Sequence, residues 1–202
     1  MTSCSNQERS FDDLCDGITN YYECLKVIEE HQIRKYSDYV NRNDKSLILK
    51  LTDGKNLELI DKNDEPNTTE LFTFRRYFDN LKLFEIVVHG YEGSEFLLVN
   101  GLNGNQYSIW GEIKFCPDST RFISWINSID GPGNNGFQIF KKTNDDFTKE
   151  FELNPNQWGP ENPIWIDNKT IEFEQYGYND GDYHIYSKTT FVFQNDNWKE
   201  NN

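Results

Sequence analysis

The sequence contains one methionine, three histidines and four cysteines in 202 residues, and it lacks the motifs of most enzyme and metal-binding classes. No CxxC pair or His/Cys cluster with zinc spacing is present. A Gly-rich phosphate loop and a Gly-x-Ser-x-Gly nucleophile elbow are also missing. No apolar run reaches the length of about 18 residues that a membrane-spanning helix needs. We therefore expect a non-enzymatic protein with no catalytic residue, no metal and no cofactor.

Positive charge is also scarce, because 34 acidic residues face 20 basic ones and the net charge is −14. Such a surface repels nucleic-acid phosphates and anionic membrane faces, and it attracts basic proteins. The composition therefore predicts a protein partner of basic character and no nucleic acid. Contact with a membrane is expected only through a lipid anchor.

The first residues, Met1-Thr2-Ser3-Cys4, resemble the lipobox of bacterial lipoproteins, in which an apolar residue and two small residues precede the cysteine that is lipidated. The basic and apolar regions that precede a lipobox are not part of this chain. The resemblance implies lipidation of Cys4, with residues 1–18 as a flexible tether. It also implies an extracytoplasmic protein anchored to a bacterial membrane; a cytoplasmic location is the alternative.

Two further cysteines, Cys15 and Cys24, flank the turn dipeptide Asp16-Gly17. A disulfide between them would tie this turn to the following helix and would require an oxidising compartment. We expect this disulfide; two free thiols are the alternative. Cys116 lies among apolar residues and is expected to be a small buried side chain.

One helix is predicted over residues 20–35, and strands are predicted after it. Asn20 is a suitable N-cap, and Glu23 follows at the spacing of a capping box. Aromatic residues make up 15% of the chain and favour strands. Turn dipeptides such as Asp53-Gly54 and Asp180-Gly181 separate short apolar runs. The predicted fold class is all-β with one N-terminal helix, in a single domain over residues 19–202. The predicted strands lie at 46–51, 56–60, 83–88, 95–99, 121–125, 137–140, 170–173, 183–186 and 190–193.

A weak internal repeat joins these strands into similar units, at residues 46–60, 83–110, 114–140 and 163–186. The third copy contains Phe115-Cys116-Pro117-Asp118-Ser119 before a strand. This segment resembles the Phe-Ser-Pro-Asp-Gly turn in blades of TolB-type and WD-repeat β-propellers, and the resemblance extends over about residues 83–193. It implies antiparallel blade-like repeats in a small or open propeller-like array and a binding scaffold; a β-sandwich is the alternative. In this alignment Phe115 and Trp165 occupy the same buried place.

Two loops are the candidate binding sites, because binding residues concentrate on loops that rigid sheets carry. One contains Trp158 and Glu161, with Gly and Pro around them, and the other contains Asn134 and Asn135. We expect the protein to bind another macromolecule through these loops. An acidic immunity or inhibitor protein that blocks a basic toxin or enzyme is one alternative. A carbohydrate-active enzyme is the second, because the chain is rich in Glu and Trp.

Overall fold

The computed structural model describes residues 11–63, 68–91, 93–129, 131, 133–179 and 181–201. The elements are α1 (Phe11–Cys15), α2 (Tyr21–Lys35), β1 (Val40–Asn43), β2 (Ser46–Lys50), β3 (Asn56–Ile60), β4 (Glu70–Phe78), β5 (Leu83–Gly90), β6 (Ser94–Asn100), β7 (Gln106–Ile109), β8 (Glu112–Phe115), β9 (Arg121–Ile126), β10 (Gly136–Thr143), β11 (Asp146–Leu153), β12 (Gly159–Asp167), β13 (Thr170–Asn179), β14 (Asp182–Gln194) and β15 (Asn197–Glu200). Among the described residues, no helix is long and apolar enough to cross a membrane.

The strands form antiparallel meanders in which chain neighbours are also sheet neighbours. The sheets have the strand orders β1-β2-β3, β4-β5-β6-β7, β11-β10-β9-β8 and β12-β13-β14-β15. Each of the four sequence repeats lies in a different sheet. The predicted fold class, all-β with antiparallel blade-like repeats after an N-terminal helix, is confirmed.

The chain divides into two compact units, Met1–Tyr107 and Ser108–Asn202. The first unit has a core that includes Leu47, Phe74 and Phe84, which are completely buried. The second unit has its own core around Phe137 and Phe173. Each unit therefore has the separate hydrophobic core that a compact folding unit needs.

The described residues at the start of the first unit form two helices. The predicted helix at 20–35 is observed as α2, and the Asn20 side chain accepts hydrogen bonds from the backbone of Tyr22 and Glu23. Within the predicted tether over residues 1–18, the segment Phe11–Cys15 forms the helix α1. A disulfide joins Cys15 to Cys24, and this bond holds α1 against α2.

The Phe11 ring explains why α1 is ordered. It lies 5.1 Å from the guanidinium carbon of Arg75 and 5.6 Å from that of Arg76, in cation–π contact. Both arginines pair with Glu85, whose side chain is completely buried. Helix α1 thus lies against charged side chains of β4. The amino-acid sequence of the two elements gives no indication of this contact.

Candidate functional site

The predicted binding loops are largely occupied by contacts within the second unit. Asn135 is 7% exposed, and its amide group donates to the carbonyls of Pro155 (2.7 Å) and Trp158 (2.9 Å). The half-buried Glu161 accepts a hydrogen bond of 2.7 Å from Asn127. These side chains satisfy loop groups that would otherwise lack partners. Asn135 therefore has a structural role in holding this loop, and its binding role stays a prediction.

Trp158 also faces inward, and its predicted binding role stays a prediction. Its ring is half-buried against the core of the second unit and lies 6.5 Å from the Phe173 ring. The chain enters β12 at Gly159, directly after this residue, so the indole can cover apolar side chains of β13. Of the four predicted loop residues, Asn134 is the exposed one.

The remaining predicted sites concern cysteines. Cys4 lies outside the described residues. Cys116 is 2% exposed, and its pKa is raised by burial and then by the hydrogen bond that its thiol donates to Asp118. It therefore stays a protonated thiol, as the sequence analysis expected of a small buried side chain.

The most prominent exposed aromatic surface lies on the hairpin of β13 and β14. The register pairs Tyr176 with Ile185 and Tyr178 with Tyr183. Paired residues and residues two positions apart share one face of a hairpin, so these four side chains project together. We call them the tyrosine face. Tyr178 is 63% exposed, Tyr183 is 43% exposed and Ile185 is 46% exposed.

The tyrosine face is preformed. The ring of Tyr183 stacks on that of Tyr176 at 6.2 Å and meets the edge of Tyr178 at 5.2 Å. On the opposite face of the hairpin lies Gly177, which is buried; a Cβ atom there would come within 2.7 Å of the carbonyl oxygen of Gln157. This close approach supports the hairpin from behind and keeps the rings turned outward.

Negative charge borders the tyrosine face. Residues 170–187 contain four carboxylates and no lysine or arginine. Lys169 and Lys188 flank this segment; Lys188 is paired with Glu172 at 2.7 Å, and this hydrogen bond raises the pKa of Lys188. Asp182 is exposed beside the hairpin turn. The surface therefore combines aromatic rings with the negative charge of the exposed Asp182, whereas Glu172 and Glu174 share Lys188.

The described residues do not bring three His, Cys, Asp or Glu side chains together as a metal site. Asn179 and Asp182 pair with each other across the β13–β14 turn. Trp165, one of the tryptophans behind the carbohydrate alternative, is 9% exposed and its indole N–H donates to the carbonyl of Lys114. Its ring is therefore not available to stack on a sugar.

Comparisons with known proteins add little to this geometry. No family model matches the chain, and no curated protein matches it. Among solved structures, the N-terminal domain of Nup159 is similar, with a TM-score of 0.31 and 7% identity; the match covers 76% of this chain and 43% of that one. The chain thus spans less than half of that structure.

Proposed function

We propose that the protein is a non-enzymatic binding module that docks a basic protein partner on the tyrosine face. The observation that carries this proposal is the exposure of Tyr178, Tyr183 and Ile185 on one preformed hairpin face. Tyrosine is enriched at protein interfaces because it offers a large contact area with few rotatable bonds. Apolar side chains clustered on a surface are typical of interaction sites.

The charge around the face supports a basic partner. Lysine or arginine side chains of such a partner would lie over the tyrosine rings in cation–π contact and would meet Asp182 and the other carboxylates at the border. The net charge of −14 would accelerate the encounter. The same charge disfavours nucleic acid and anionic membrane surfaces.

The proposed location is outside the cytoplasm of a bacterium, with the chain anchored to a membrane through a lipid on Cys4. The disulfide between Cys15 and Cys24 supports this proposal, because such bonds persist in oxidising compartments. Expression of the complete reading frame with an alkyne-tagged fatty acid tests it. The label should appear in the wild-type protein and disappear in Cys4→Ser; a protein that stays unlabelled and cytosolic would contradict the proposal.

The docking surface is tested with two double variants of the full chain. In the first, Tyr178→Ser and Tyr183→Ser remove the exposed rings of the tyrosine face. In the matched control, Tyr21→Ser and Tyr22→Ser remove two rings of the first unit, each 55% exposed. Proteins captured by wild-type and control but not by the hairpin variant are purified, and their affinity is measured by calorimetry at low and high salt.

We expect a captured protein with excess positive charge, whose affinity falls about tenfold or more in the hairpin variant and also falls with salt. Identical capture by all three proteins would show that the tyrosine face is not the docking site. If the partner is a toxin or an enzyme, inhibition of its activity would identify the immunity or inhibitor role. That role uses the same acidic surface.

A further inference from the structure

A pocket of about 620 Å³ opens in the first unit between α2 and the strands β1 and β4. This volume is typical of pockets that hold small organic molecules. Leu25 and Phe72 contribute apolar wall and are themselves buried, and the more exposed ring of Tyr22 also lines the pocket. No part of the tyrosine face belongs to it, so this site is independent of the proposed docking surface.

Three charged side chains that line the pocket, Arg42, Glu29 and Asp61, are paired with one another. Arg42 donates to Glu29 at 2.6 Å, to Asp61 at 3.1 Å and to the carbonyl of Phe72. The two carboxylates also accept backbone N–H groups of β4, from Phe74 and Phe72 respectively, at 2.8 Å each. These bonds fix the side chains and satisfy their charges. A ligand does not need a charge of its own to complement them.

His89 is a polar residue of the pocket whose hydrogen bonding is incomplete, because one ring nitrogen has no partner among the described residues. It lines the pocket, is 3% exposed, and its Nδ1 atom is hydrogen-bonded to the Ser94 hydroxyl at 2.8 Å. Its Nε2 atom has no hydrogen-bond partner among the described residues. Burial lowers the pKa of His89, against a smaller raising effect of Asp61, so the ring is neutral at neutral pH. A buried nitrogen of this kind is unfavourable until it gains a partner.

We propose that this pocket binds an uncharged aromatic alcohol of the phenol class, whose hydroxyl group pairs with Nε2 of His89. A hydroxyl group both donates and accepts, so it matches either tautomer of the neutral imidazole. The aromatic body matches the apolar wall and the Tyr22 ring. The internally paired cluster of Glu29, Arg42 and Asp61 offers no unpaired partner to an anion or to an ammonium group.

Two exposed tyrosine rings at the start of α2 lie beside the His89 ring. Tyr21 and Tyr22 meet the His89 ring edge to face, with centroids 6.0 Å and 5.6 Å away. Both rings are 55% exposed, so rotation about their side-chain bonds moves them into solvent and not into the core. Access to Nε2 therefore requires a rotamer change and no backbone movement.

The proposal is tested with four probes that share one body: 4-ethylphenol, ethylbenzene, 4-ethylbenzoate and 4-ethylbenzylamine. Their affinities for the full chain are measured by NMR titration, with His89 labelled in the imidazole ring. We expect 4-ethylphenol to bind at least about tenfold more tightly than the other three, which corresponds to one good hydrogen bond. The Nε2 resonance of His89 should shift on binding.

The variant His89→Phe keeps an aromatic ring and removes Nε2. In this variant the preference for 4-ethylphenol over ethylbenzene should fall to about one, whereas His31→Phe, on α2 but outside the pocket lining, should keep it. If His89→Phe fails to fold, the imidazole shift in the wild-type protein still decides. Equal binding of phenol and ethylbenzene, preferred binding of a charged probe, or an unchanged Nε2 resonance would overturn the proposal.

Discussion

Replacement of Trp165 by alanine should be among the most destabilising single changes in the second unit. The indole is 9% exposed, its N–H donates to the Lys114 carbonyl at 3.0 Å, and its ring meets Trp198 edge to face at 5.9 Å. A buried Trp removes about 200 Å² from water, which at about 25 cal/mol per Å² is about 5 kcal/mol. Measured Trp→Ala costs of about 3–5 kcal/mol agree with this figure.

The assay is urea denaturation followed by tryptophan fluorescence. All five tryptophans lie after residue 108, so the signal reports unfolding of the second unit alone. The half-buried Trp158 is the matched control, and Trp158→Ala should cost about 1–2 kcal/mol. Trp165→Phe keeps an aromatic ring but removes the N–H group that donates to the Lys114 carbonyl. It should lower the free energy of unfolding by about 1–2 kcal/mol.

Phe115→Ala tests the repeat alignment in the same assay. Phe115 is half-buried, with its ring 5.6 Å from that of Phe122, so its loss should cost less than the loss of Trp165, about 2–3 kcal/mol. Phe115 and Trp165 each lie in the strand of their sheet that comes first in the chain. In the next strand, Phe122 lies opposite Phe115 and Ile171 lies opposite Trp165. If Trp165→Ala is as mild as Trp158→Ala, the reasoning from burial and alignment is refuted.

Reduction of the disulfide between Cys15 and Cys24, which lie nine residues apart, should lower the stability of the first unit by about 2–3 kcal/mol, measured by hydrogen exchange of residues 11–107. In the same measurement Glu85→Ala should cost about 3–5 kcal/mol, because it leaves two arginine side chains without the carboxylate buried between them; a cost below about 1 kcal/mol would contradict this. Burial raises the pKa of Glu150, but hydrogen bonds from Arg121 and Trp198 outweigh it, and the net pKa lies below the ordinary value of a glutamate, 4.5. The second unit should therefore lose stability as the pH falls below about 4.5, and Glu150→Gln should reduce this loss, which fluorescence-monitored denaturation at pH 3 to 7 would show.

Local signals were sufficient to predict much of the fold. The Asn20 cap predicted the start of α2 to within one residue, because a cap is a contact within one turn of the chain. The dipeptide Asp53-Gly54 separates two apolar runs, and the observed strands Ser46–Lys50 and Asn56–Ile60 pair across it. The blade-like repeat was visible for the same reason, since each meander is built from neighbouring segments.

The strands that the sequence analysis missed owe their character to distant partners. In β4, Arg75 and Arg76 look like solvent-exposed positions, but both pair with Glu85 of the next strand. In β12, Pro160 and Pro163 argue against a strand, since proline cannot donate to a ladder. The strand forms nevertheless, at the edge of its sheet and with a shift of register between Glu161 and Ile164.

The candidate site shows which part of a surface a sequence can reveal. Trp158 and Asn135 stood out because aromatic and amide side chains in Gly/Pro loops are typical of binding sites. In the structure, however, the Asn135 amide donates to a loop carbonyl, and the Trp158 ring packs against the core of the second unit. The tyrosine face carried a better signal. Tyr178 and Tyr183 lie at equal sequence distances from the predicted turn dipeptide Asp180-Gly181, and so do Tyr176 and Ile185. An antiparallel hairpin places such pairs opposite each other on one face. Side chains on that face project beyond the core if the hairpin is longer than the strands that flank it, and β13 and β14, with ten and thirteen residues, are the longest strands of their sheet. The exposure of the tyrosines thus follows from strand length and turn position together, and neither the residue types nor the turn alone was enough to predict it.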